Sequence, residues 1–189
     1  MSDFAHDQRK ALLAIARASI DHGLRHASCP GLDLAEFPDE LRLHLACFVT
    51  LKSGQALRGC IGSLEAVRPL AMDIHENAYA AAFRDPRFPP LTYREWPEVH
   101  MSLSILSPPV AMPVVDTADL LTALRPGIDG VILEYRQRRA TFLPAVWQML
   151  PDPHAFVRQL KLKAGLPAEF WAEELRIYRY TTTQIEADR

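Results

Sequence analysis

The chain has 189 residues, a net charge of −2 and an isoelectric point near 6.4. Apolar residues make up 49% and charged residues 23%, which is ordinary for a soluble globular chain. The near-neutral charge argues against a general nucleic-acid binder, which usually carries a basic face, although Arg136, Arg138 and Arg139 form a local basic group.

Met1 to Lys10 is polar and mixed in charge, so no signal peptide is expected. No stretch reaches the roughly 18 uninterrupted apolar residues of a membrane-spanning helix. Cys29, Cys47 and Cys60 are three cysteines, an odd number, and they fit free thiols in a reducing cytosol better than a disulfide framework. There is no CxxC, so no zinc ribbon or iron–sulfur site is indicated. No metal and no cofactor is expected.

In chain order, Lys10 to Arg25 reads as an amphipathic helix, with Asp7 as its N-cap. Ser28 to Glu40 is loop-like. Leu43 to Leu51 and Ala56 to Ile61 read as a hairpin, turning at Lys52 to Gln55. Ala66 to Arg84 reads as a long helix with Pro69 in its first turn and Asp85-Pro86 as its stop. Val99 to Leu106 alternates as a strand should. Thr117 to Leu124 is a short helix capped by Thr117 or Asp116. Gly130 to Arg136 and Arg139 to Leu143 form a second hairpin, turning at Gln137-Arg138. Ala145 to Leu150 is a short helix. Asp152 to Ala164 is longer, capped by Asp152 and stopped by Gly165. Ala168 to Glu173 is a further turn or two. Leu175 to Glu186 reads as one final strand. Hairpins interleaved with helices indicate an α+β fold with a mainly antiparallel sheet. A single domain over 1–189 is expected. The Pro-rich stretch 107–115 is where a smaller second lobe could separate.

The chemistry-bearing segments are Leu57-Arg58-Gly59-Cys60-Ile61-Gly62 and Arg84-Asp85-Pro86-Arg87. On a regular strand Arg58 and Cys60 share a face, and a neighbouring guanidinium favours thiolate over thiol. Gly59 and Gly62 remove side chains and so admit a ligand or another backbone. Cys60 is therefore either a nucleophilic thiol or a small packing residue. A nucleophilic cysteine needs a base, and His75 is the candidate, with His44 as the alternative. Arg84 and Arg87, flanking Asp85, either bind a phosphate or carboxylate as one substrate-binding cluster, or form a helix stop in which Arg84 complements the helix dipole and Asp85 pairs with Arg87. His22 and His26 have a spacing that could hold a metal, and equally suit a helix C-terminus. There is no GxGxxG, P-loop or GxSxG.

These segments also identify a family. LRGCIG at 57–62, AAFRDPRFPPLT at 81–92, SLSILSPP at 102–109, GIDGVILE at 127–134, ATFLPAVW at 140–147 and LKAGLPAEFW at 162–171 occur in this order. On these motifs the chain resembles the AMMECR family, which includes AmmeMemoRadiSam system protein A. The resemblance implies an intracellular α+β domain that acts alongside a Memo-type protein and a radical S-adenosylmethionine protein. It implies no particular reaction. Three functions follow as expectations. The first is an accessory or binding protein that presents a cleft near Arg58, Cys60 and Arg87 to a small molecule or modified protein. The second is a thiol enzyme with Cys60, Arg58 and His75. The third, and least favoured by the charge, is a regulator that contacts nucleic acid.

Overall fold

The computed structural model describes residues 4–186. The helices are α1 (His6–His26), α2 (Asp39–Arg42), α3 (Leu70–Phe83), α4 (Thr117–Ala123) and α5 (Pro153–Lys163). The strands are β1 (Cys47–Ser53), β2 (Ala56–Gly62), β3 (Val99–Leu106), β4 (Val110–Ala111), β5 (Gly130–Tyr135), β6 (Arg138–Phe142), β7 (Arg176–Tyr180) and β8 (Thr182–Glu186). The fold is α+β with two four-stranded sheets, ordered β2-β1-β3-β8 and β4-β7-β5-β6. The chain divides into two compact units. One runs to Leu106 and resumes at Thr183, and the other is Ser107 to Thr182. No helix among the described residues is long and apolar enough to cross a membrane.

In the first unit, α1 buries Leu12, Ile15, Ala16 and Ile20, an apolar stripe at helical spacing. It begins four residues before the expected start. The Gln8 side chain accepts from the Ala5 amide, so Asp7 is not the cap but an acid in the first turn. Alternation along β1 and β3 buries Cys47, Val49 and Leu51 beside Leu103 and Ile105. The same core takes in Ile74 and Ala78 of α3.

Two boundaries differ from expectation for one reason. Leu43 to Ala46 does not join β1, and 66–69 does not join α3, because these segments engage each other. The Leu70 amide donates to the Leu43 carbonyl, and His44 bridges Pro69. Pro69 thus stands outside α3 as its N-cap residue.

In the second unit, Trp147 stacks on Phe156 with ring centroids 3.8 Å apart, and both are buried with Val131, Leu133 and Ile177. Asp152 caps α5, accepting from the Ala155 amide at 3.0 Å, with Pro153 at the first helical position. The hairpin turns one residue earlier than expected, at Arg136-Gln137, with Arg136 left-handed at φ 54°. The stretch 107–115 is no free linker, since Val110 and Ala111 pair with β7. The expected single strand Leu175 to Glu186 is two strands in different sheets. It breaks at Thr181, whose carbonyl accepts from the Ser107 amide at 2.9 Å and whose amide donates to Ser107 Oγ at 3.0 Å.

Helix α3 rests directly on β2. A Cβ at Gly59 would lie 2.1 Å from the Ala81 carbonyl oxygen, a backbone atom that cannot swing away. Gly59→Ala should therefore cost about 1–3 kcal/mol as an overpacking change, whereas Gly31→Ala, facing open space, should be near neutral. Urea unfolding of both variants measures the difference.

Candidate functional site

Strand β2 is the edge strand of its sheet, so its outer backbone groups need partners. At Cys60 the chain supplies them from the segment after α3. The Cys60 amide donates to Asp85 Oδ2 at 2.8 Å, and Arg87 Nη2 donates to the Cys60 carbonyl at 3.1 Å. Asp85 and Arg87 are joined to each other by a second set of bonds. Arg87 donates to Asp85 from Nε at 2.9 Å, from Nη2 at 2.6 Å and from its backbone amide at 3.1 Å. One aspartate and one arginine thus replace a neighbouring strand for a single residue.

This arrangement sets the electrostatics. Asp85 is buried, yet its carboxyl is held far below the usual carboxylate range. The Arg87 guanidinium is the main cause, and the Cys60 and Arg87 amides add to it against the desolvation. Arg87 is driven further towards its charged form, first by Asp85, with Cys60 also contributing.

Arg58 does something else. Leu51 pairs with Gly59 but Lys52 pairs with Leu57, so Arg58 has no partner on β1 and forms a bulge. The bulge breaks the alternation that would have set Arg58 beside Cys60. Its Nε donates to Glu95 Oε1 at 2.8 Å and its Nη2 to the Pro89 carbonyl at 2.9 Å. The guanidinium carbon lies 6.0 Å from the Phe88 ring centroid. Arg58 is only 8% exposed, and its Nη1 has no hydrogen-bond partner. Glu95 is held down at about 2, by Arg58 first and Thr92 next. Arg87, rather than Arg58, is thus the arginine that engages Cys60.

His75 is also placed differently from the expectation. Its Nε2 lies 2.9 Å from the Pro30 carbonyl and 3.5 Å from Cys29 Sγ. Its backbone carbonyl accepts from Ser19 of α1 at 2.7 Å. Two residues of helix turn the side chain by about 200°. Asp73 and Asn77 therefore meet β1 at Cys47, while His75 faces the α1 side. His44 lies at the Pro69 bridge. His22 and His26 have ring centroids 4.4 Å apart, and no metal-holding group of three His, Cys, Asp or Glu occurs among the described residues.

The chain itself fills the space left by both glycines. Gly59 receives the Ala81 carbonyl, and a Cβ at Gly62 would lie 2.4 Å from both the Cys47 carbonyl oxygen and the Phe48 ring. The Cys60 thiol remains half-buried, 3.4 Å from Thr50 Oγ1. In register, Cys60 lies opposite Thr50, and Thr50 opposite Ser102. These three half-buried residues make a thiol–hydroxyl row on the sheet face away from α3. The alternation of His100, Ser102 and Ser104 in β3 was the available sign of a polar face there. The ion pair of buried Arg58 with half-buried Glu95 had no local sign.

The two depressed carboxyls predict an acid dependence. A carboxyl held below its ordinary value stabilises the fold above that value, and the stabilisation fades as pH falls through the folded one. Asp85→Ala leaves the Cys60 amide without its acceptor and should cost about 1–3 kcal/mol at neutral pH. The gap from wild type should narrow once pH falls below the ordinary 3.8. For Glu95→Gln the gap should close between 4.5 and about 2. Urea unfolding at several pH values checks both.

The AMMECR1 family model matches residues 13–185, a span that includes parts of both units. A protein of Methanothermobacter thermautotrophicus is 37% identical over 97% of this chain and 96% of its own length. One from Thermotoga maritima is 40% identical over 79% of this chain and 82% of its own. The crystal structure of an uncharacterized Pyrococcus horikoshii protein superposes with a TM-score of 0.80 at 29% identity, covering 92% of this chain and 88% of that one. The chain belongs to the AMMECR1 family.

Proposed function

We propose that this protein is a cytoplasmic accessory or binding protein whose contact surface is the sheet face around Cys60. The observation that carries this reading is that Arg58, Asp85 and Arg87 are already engaged by other groups of the protein. Asp85 is held by Arg87 and the Cys60 amide, and Arg58 is held by Glu95 and Pro89. An acid–base role needs a group free to exchange protons with a bound molecule. The His75 ring nitrogen that lies near a thiol lies near Cys29. What Cys60 does have is a half-buried thiol in a row with Thr50 and Ser102, suited to contact a small molecule or a modified protein segment. Action alongside Memo-type and radical S-adenosylmethionine proteins is the pathway the family resemblance suggests for it.

Alkylation of the folded protein by iodoacetamide, followed cysteine by cysteine by peptide mass spectrometry, tests the reading. Cys60 should label first. Cys29 should label more slowly, because burial pushes its thiol up. Cys47 is fully buried, and its thiol is raised further by burial and by Asp73, so it should label only on unfolding. Protection of Cys60 equal to that of Cys47 would remove the contact surface. Rapid labelling of Cys60 that persists into acid would favour a thiol enzyme instead.

A further inference from the structure

The second unit contains a lysine that neither motif uses. Lys161, in the last turn of α5, is 1% exposed and is one of the largest fully buried side chains. Its Nζ donates to Thr117 Oγ1 at 3.0 Å and lies 5.6 Å from the Trp171 ring centroid. Among the described residues no carboxylate forms an ion pair with it. A buried ammonium with a hydroxyl and a ring for company is an expensive arrangement. Such a group either gives up its proton or takes an anionic partner.

The lysine also lines a cleft of about 350 Å³, a size for a small ligand. His154 and Arg158 line the same cleft. Positions 154, 158 and 161 fall on one face of a helix, so α5 presents three basic groups together. Thr117, Asp152, Gln159 and Glu169 complete the polar lining. Burial lowers the basicity of Lys161, opposed by the charge of Glu169. Lys163, two residues on, is exposed and donates to the Thr141 carbonyl at 3.0 Å. It serves as an internal control.

We propose that the α5 cleft is a site for a small aldehyde or ketone carrying a carboxylate or phosphate group, with Lys161 as the amine that condenses with its carbonyl and Arg158 as the partner of its anionic group. The Lys161 nitrogen lone pair attacks the carbonyl carbon, and the carbonyl π electrons pass to oxygen. The resulting carbinolamine loses water, which carries away both hydrogens of the neutral amine and the carbonyl oxygen. An imine remains, and no oxidant or reductant is consumed.

The full chain is incubated with pyridoxal 5′-phosphate at neutral pH and reduced with borohydride, and the label at Lys10, Lys52, Lys161, Lys163 and the terminal amine is mapped by peptide mass spectrometry. Lys161 should be labelled about tenfold faster than Lys163. Pyridoxal without the phosphate should label it less. Arg158 is exposed, so Arg158→Ala should keep the fold and raise the half-saturating concentration about tenfold. Lys161→Met should abolish the fast phase, and Lys163→Arg should preserve it. Even labelling of all four lysines, or a Lys161 that reacts only on unfolding, would overturn the site. Equal labelling with and without the phosphate, unchanged in Arg158→Ala, would overturn the anionic half of the assignment.

Discussion

A single carboxylate at the edge of a sheet organises the first unit. Asp85 accepts from the Cys60 amide and from three nitrogens of Arg87, and Arg87 returns a bond to the Cys60 carbonyl. An edge strand without such a cover would present those groups to solvent or to another chain. The geometry begins at Gly59. Because no side chain stands there, the Ala81 carbonyl of α3 lies directly over the strand. Four residues further on, just past the end of the helix, Asp85 arrives at Cys60. The following loop then folds back, with the Leu91 amide donating to the Ala82 carbonyl at 2.8 Å. That return puts the Pro89 carbonyl within reach of Arg58.

The two motifs are therefore one structural device. The first supplies a strand with a bulge and a missing side chain. The second supplies the helix end and the acid–base pair that close the strand's edge. Edge closure and close packing are enough to require these residue types, without a reaction. The clamp consumes the backbone of Cys60 and leaves its thiol half-buried beside Thr50, on the opposite face from the core. On the reading proposed above, function at this surface lies in what docks on the thiol–hydroxyl row, and the chemistry proposed for the lysine of α5 is separate from it.

Much of the fold was legible because its signals are local. Strand β3 matches its expected limits, since its alternation is uninterrupted. Helix α5 follows from an Asp-Pro start and a glycine stop. The pairing of Asp85 with Arg87 was also within reach, being two residues apart. Other features depend on distant partners and have no local trace. Helix α3 is buried both towards the sheet and towards α1, so its pattern has no polar face to orient it. His75 could then be assigned to the wrong side. The bulge at Arg58 depends on how β1 and β2 slip past each other, and its partner Glu95 lies 37 residues away. The break at Thr181 depends on Ser107, 74 residues earlier.

The most direct test of the central claim is amide hydrogen exchange at Cys60, resolved by NMR in the wild type and in Asp85→Ala. The account predicts an amide protected well beyond other outward-facing edge positions of β2. It also predicts that Asp85→Ala removes that protection while α5 in the second unit keeps its own. A Cys60 amide that exchanges freely in the wild type, or that stays protected without Asp85, would contradict it.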